Sequence, residues 1–171
     1  GGTRKRQWEA PAKLTIDSSP GPATVEVARY ERDTQKRWRA DKVQTLGQTP
    51  LRNMELSPGS YLLTLTHTGS PPVRYPIRLT RGSLQQISVP LPRLEQIPKG
   101  FVYIPPGSFL FGSADDLLRK AFLATTPIHS VQTAGYLMAI HETTYGDWLE
   151  YLRAQPPEKR ATRLLKGGGI S

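Results

Sequence analysis

From Lys13 to Arg93 the chain alternates apolar and polar residues in short runs. The clearest run is Val73 to Thr80, where Val73, Tyr75, Ile77 and Leu79 are separated by Arg74, Pro76 and Arg78. Successive side chains of a strand point to opposite faces, so this period of two puts the four apolar residues on one face and the two arginines on the other. Proline has no backbone hydrogen to give a ladder, so Pro76 marks an edge strand. Beyond the turn residues Arg81-Gly82-Ser83, the alternation returns at Ile87, Val89 and Leu91. Leu14 to Asp17, Val25 to Tyr30 and Tyr61 to Thr66 predict earlier strands. Their separators are the turn formers Ser18-Ser19-Pro20-Gly21-Pro22, Gln48-Thr49-Pro50 and Ser57-Pro58-Gly59. Several short strands with regular turn signals predict a small antiparallel β-sandwich over residues 13–96, after a basic linker at 1–12.

The pattern changes after Pro92 to Gly100. Phe101 to Ile104 is a strand-like run closed by Pro105-Pro106-Gly107, and Ser108 to Ser113 continues it. Ala114 to Ala124 predicts a short helix with Ser113 as N-cap and Asp115-Asp116 in its first turn, where the helix dipole favours negative charge. Val131 to Ile140 is again strand-like. From Thr144 the period becomes helical: Tyr145, Trp148, Leu149 and Leu152 fall on one face, which is read as core. Thr144 and Asp147 have the spacing of a capping box, and Pro156-Pro157 ends the helix. Glu158 to Lys166 predicts a further helical segment. The second domain is therefore placed at residues 97–171, and the chain as a whole in the α+β class.

Charge follows the same division. Of 23 cations and 14 carboxylates, residues 1–96 hold fifteen and eight, and residues 97–171 hold eight and six, so the basic character lies in the first half. The 15 glycines and 16 prolines exclude a helix bundle. With no cysteine there is no disulfide, no thiolate metal site, no iron–sulfur cluster and no cysteine nucleophile. No apolar run approaches the roughly 20 residues that span a bilayer, and no apolar stretch follows the basic start. A soluble chain is expected.

Two stretches resemble a known family. Phe101-Val102-Tyr103-Ile104-Pro105-Pro106-Gly107-Ser108-Phe109-Leu110-Phe111-Gly112-Ser113 resembles the opening signature of the formylglycine-generating enzyme (sulfatase-modifying factor) family. Pro127-x-His129-x-Val131, followed by Tyr136 to Thr144 and leading into Trp148, Leu149 and Leu152, resembles the family's second signature. Gly47-Gln48-Thr49-Pro50 and Ser57-Pro58-Gly59-Ser60-Tyr61-Leu62-Leu63 are similar to PEGA domains, small β modules. The pair of modules resembles the C-terminal regions of bacterial, especially myxobacterial, Ser/Thr protein kinases. The resemblance implies a PEGA-like β-sandwich followed by the N-terminal part of a C-type-lectin-like, formylglycine-generating-enzyme-like α+β domain. The catalytic enzymes of that family use a cysteine pair with copper. This chain has no cysteine and no kinase motif, so no catalytic, cofactor or metal residue is carried over and no activity is expected of these residues alone.

The function expected is recognition or docking within a larger bacterial signalling protein, the kinase being the type implied. The alternatives are an oxidase whose cysteines lie in a missing half, and a nucleic-acid-binding module. Residues 97–171 carry Phe101, Phe109, Phe111, Tyr136, Trp148 and Leu152 with only about 75 residues to cover them. That predicts a second polypeptide completing this domain; a protein or small-molecule ligand is the other partner the reading allows. The nucleic-acid reading rests on cations interleaved with aromatics, with Arg37, Arg39 and Lys42 as the contact surface. Glu31, Asp33 and Asp41 in the same run fit a solvated hairpin and weigh against it. Arg4-Lys5-Arg6-Gln7-Trp8 suits the edge of a bilayer, a membrane-proximal N-terminus with the side of the membrane left open.

His129 and His141, with Glu142, match no closed zinc spacing, and a hydrogen-bonded structural role is expected for His129. His67 is expected at an exposed strand end. Ser60, Ser108 and Ser113 lack a nucleophile elbow and are assigned to turns and caps. Asp115-Asp116 with Glu142 form no calcium loop.

Overall fold

The computed structural model describes residues 10–115, 117 and 126–163. The basic start, Arg4 to Trp8, lies outside these residues, as do nearly all of the helix expected over 114–124 and the end of the segment expected over 158–166. The chain divides into two compact units, Gly1–Met138 and Ala139–Ser171.

The first unit is built on two sheets. One has the order β6-β1-β9 and joins β1 (Ala12–Ser19), β6 (Leu51–Leu56) and β9 (Leu84–Pro90). The other has the order β5-β2-β7-β8 and joins β2 (Thr24–Arg29), β5 (Val43–Gln48), β7 (Gly59–Thr66) and β8 (Val73–Leu79). A short ribbon, β3 (Glu31–Arg32) with β4 (Trp38–Arg39), extends the connection from β2 to β5. Both sheets feed one buried cluster that includes Leu14, Ile16, Val25, Leu63, Leu65, Val73, Leu79 and Val89. The alternation explains why. In β8, Val73, Ile77 and Leu79 are buried while Arg74, Pro76 and Arg78 are exposed, and the strand lies at the sheet edge where Pro76 requires it. The ladders are antiparallel with one exception. β1 pairs with β9 in parallel, from Lys13↔Leu84 to Ser19↔Pro90, so the three-stranded sheet is mixed rather than antiparallel. The long intervening chain permits this, since a parallel pair needs a crossover rather than a tight turn.

The chain crosses between sheets at two corners, 18–23 and 47–50, each holding a cis X–Pro bond, Ser19–Pro20 and Thr49–Pro50. Thr49 is the buried polar residue of the core region. Its Oγ1 accepts from the Ala23 N–H at 2.8 Å, and its own N–H donates to the Ala23 carbonyl at 2.9 Å. Ser18 Oγ donates to the Gly21 carbonyl at 2.7 Å, so the Thr49 hydroxyl is the donor in its bond to Ser18.

Beyond residue 96 the first unit continues. A single 3-10 turn at Leu94–Gln96 leads into β10 (Phe101–Ile104), which lies beside β8, and Tyr103 packs against the core cluster. β10 pairs with β13 (Tyr136–Ala139), and β11 (Gly107–Phe111) pairs antiparallel with β12 (His129–Thr133). Gly112 explains the Gly-Ser step that follows β11. It sits at φ +97°, and a Cβ there would lie 2.5 Å from the carbonyl oxygens of Thr126 and Pro127. Ser113 Oγ then accepts from the Asp115 N–H at 3.1 Å.

In the second unit, α1 (Tyr145–Ala154) starts on the expected capping box. Thr144 N–H donates to Asp147 Oδ2 at 2.9 Å, and Asp147 N–H to Thr144 Oγ1 at 3.2 Å. α2 (Pro157–Arg163) follows, and Arg160 donates to the Arg153 and Gln155 carbonyls that α1 leaves open at its C-terminus. The face read as core is only partly so. Leu152 is buried, but Trp148 is exposed and stacks on Tyr151 at 5.3 Å, while Tyr145 is 78% exposed. Two short helices present too little apolar surface to enclose them. No helix among the described residues is long and apolar enough to cross a membrane.

Candidate functional site

Three surfaces of the first unit stand out in the structure, two of which the sequence also singled out. The first is the β3–β4 ribbon, where the structure places Arg37, Arg39 and Lys42 together and gives each an acidic neighbour. Arg37 Nε and Arg39 Nε both donate to Asp33 Oδ2 at 3.1 Å, and Lys42 Nζ reaches Glu31 Oε2 at 3.2 Å. Asp33 Oδ1 accepts the backbone N–H groups of Gln35 and Arg37, the Asx-turn geometry that folds the loop back on itself. The Arg37 backbone bond first, then the two guanidinium groups, hold the Asp33 carboxyl below its ordinary pKa. Arg32 lies over the Trp38 ring at 5.0 Å. The cations and the aromatic are thus engaged with one another, the arrangement of a solvated hairpin.

The second surface is apolar. In β11, Phe109, Leu110 and Phe111 are exposed in succession. In β13, Tyr136, Leu137 and Met138 are exposed in succession as well, and in β10 so are Phe101 and Val102. Because neighbours in a strand point to opposite faces, consecutive exposed apolar residues mean that these strands present apolar side chains on both faces. Phe111 makes an edge contact with His129 at 5.8 Å, and the His129 Nδ1–H donates to the Pro127 carbonyl at 2.8 Å, the structural role expected of it.

The third surface runs along β8 and was not singled out by the sequence. Two grooves flank the strand, of about 610 and 510 Å³, and both are lined by Arg74 and Pro76. The first adds Lys99 with Pro71, Pro72 and Phe101; the second adds Arg78 with Ile104, Phe109 and Tyr136. Neither lining contains a carboxylate among the described residues. Partial burial pushes the phenols of Tyr75 and Tyr103 above their ordinary value, so both stay neutral at physiological pH and add no negative charge. The signal was present in the period of two that put Arg74 and Arg78 on one face. A strand read for its buried face leaves its exposed face unread.

The remaining candidates are dispersed. His67 is half-buried just past β7, where its Nδ1–H donates to the Pro22 carbonyl at 2.7 Å. His141 and Glu142 are exposed in the second unit. Ser60 contributes its carbonyl to the Tyr30 N–H at 2.8 Å, and Ser108 lies in β11. Asp116 falls outside the described residues. Among the described residues no three His, Cys, Asp or Glu side chains converge in a way that holds a metal. No family model, no curated protein and no solved structure matches this chain.

Proposed function

We propose that the chain is a non-catalytic recognition and docking region of a larger bacterial signalling protein, the Ser/Thr kinases with PEGA-like and formylglycine-generating-enzyme-like modules being the type it resembles. The observation that carries the reading is the pair of apolar ribbons. A two-stranded ribbon is marginal in water by itself, and one that exposes apolar side chains on both faces gains by being covered. Further polypeptide laid over β10, β11 and β13 supplies that cover and completes an α+β domain. The oxidase alternative has no residue to rest on within this chain, which contains no cysteine.

Oxidative labelling of Met138 tests the reading. Met138 is 48% exposed in β13. It is expected to oxidise readily in the 171-residue chain and to be protected in the protein as isolated from its own cells. Equal labelling of the two preparations refutes the docking surface.

A further inference from the structure

The grooves beside β8 share Phe101, Phe109 and Tyr136 with the apolar ribbons and add cations to them. Arg74 and Arg78 are exposed, lie on one face of β8 and have no hydrogen-bond or ion-pair partner among the described residues. Lys99 is exposed and equally unpaired. The contrast with the β3–β4 ribbon is direct, since there each of Arg37, Arg39 and Lys42 has a carboxylate within 3.2 Å. Within the four-stranded sheet, Glu26 stands two strands from Arg74 across Thr64 and lines neither groove. Cations held apart from acids, on walls of proline and aromatic rings, complement a ligand that is anionic at intervals and apolar between them.

Spacing narrows the ligand further. At a rise of about 3.3 Å per residue, Arg74 and Arg78 stand roughly 13 Å apart along the strand. An extended polypeptide with acidic side chains four residues apart repeats that interval, and its intervening apolar side chains meet Pro76 and Phe101. Pro76 leaves the middle of the edge without a donor, so the segment lies across side chains rather than joining the sheet as a further strand. We infer that the two grooves along β8 receive an extended, acidic and apolar segment of a partner protein, anchored by Arg74 and Arg78. The inference rests on the reading of the chain as a recognition region and names what this part of it recognises.

Fluorescence anisotropy with a labelled nonapeptide of core Glu-Val-Tyr-Val-Glu tests it on the 171-residue chain. The wild-type chain is expected to bind this peptide about tenfold more tightly than the Gln-Val-Tyr-Val-Gln peptide, two partly exposed ion pairs being of that order. The Arg74→Ser/Arg78→Ser variant is expected to abolish the difference and Arg74→Lys/Arg78→Lys to restore part of it. Arg37→Ser/Arg39→Ser, which lowers the net charge equally, is expected to retain it. Equal binding of the two peptides, or equal losses in the two serine variants, overturns the inference and reduces the effect to the net charge of +9. So does displacement of the peptide by a polythymidine oligonucleotide at lower concentration than the unlabelled peptide requires. Protection of Met138 in the native protein without peptide binding leaves the docking surface standing and removes this inference alone.

Discussion

Thr49 shows how one hydroxyl ties two corners together. It receives the Ala23 amide and gives its own hydrogen to Ser18, joining residues 31 and 26 positions away in a buried place. Valine has nearly the same shape but offers nothing to the Ala23 amide, and a buried donor left without a partner costs about 1–3 kcal/mol. Thr49→Val is therefore expected to lower the midpoint of thermal unfolding, followed by circular dichroism, by several degrees, whereas Thr49→Ser retains most of the stability. In the sequence, Gln48-Thr49-Pro50 reads as a turn and as part of the stretch similar to PEGA domains, with no sign of burial. Its burial arises only when the two sheets close on it, a long-range consequence that a local pattern does not encode. Gly112 is similar: the glycine is visible, and the two carbonyls that forbid a side chain there are not.

At the scale of elements, legibility follows burial. β1, β2, β7, β8 and β9 each bury alternate residues in the shared core, and each was readable from its alternation. β5 and β6 were missed because neither has a fully buried residue, which leaves their alternation faint. Helix α1 was legible from both its period and its cap, although the face assigned to the core is open at Tyr145. That cap carries a pH dependence. The Thr144 hydroxyl first, then its backbone N–H, holds Asp147 below its ordinary pKa. A lowered carboxyl stabilises the fold fully above its unfolded pKa of about 3.9 and loses that contribution as pH falls through the lower folded value. The helical signal of α1 is accordingly expected to weaken on acidification below about pH 4, and Asp147→Asn is expected to flatten this part of the titration by far-ultraviolet circular dichroism. An acid transition of α1 unchanged in the Asn variant contradicts the assignment.

Across the whole molecule, the paired cations lie on the β3–β4 ribbon, whereas the unpaired ones along β8 adjoin the open apolar residues of β10, β11 and β13. The sequence showed the first and third as composition, since clusters of like residues are adjacent in the chain. The second is assembled from β8, the turn before it, the segment 94–109 and residues as distant as Tyr30 and Tyr136, and only folding brings these together. The parallel pairing of β1 with β9 has a mechanical consequence. A pull entering the chain ahead of Ala12 and leaving it after Pro90 drags these neighbours past each other lengthwise, so their seven facing residue pairs must yield at once rather than unzip singly. Stretching single molecules from residues 11 and 91 is expected to give one sharp rupture for the two-sheet body, at a force well above that found when the same body is pulled from residues 57 and 80 across the antiparallel β7–β8 pair. A body built this way transmits tension along the polypeptide without opening.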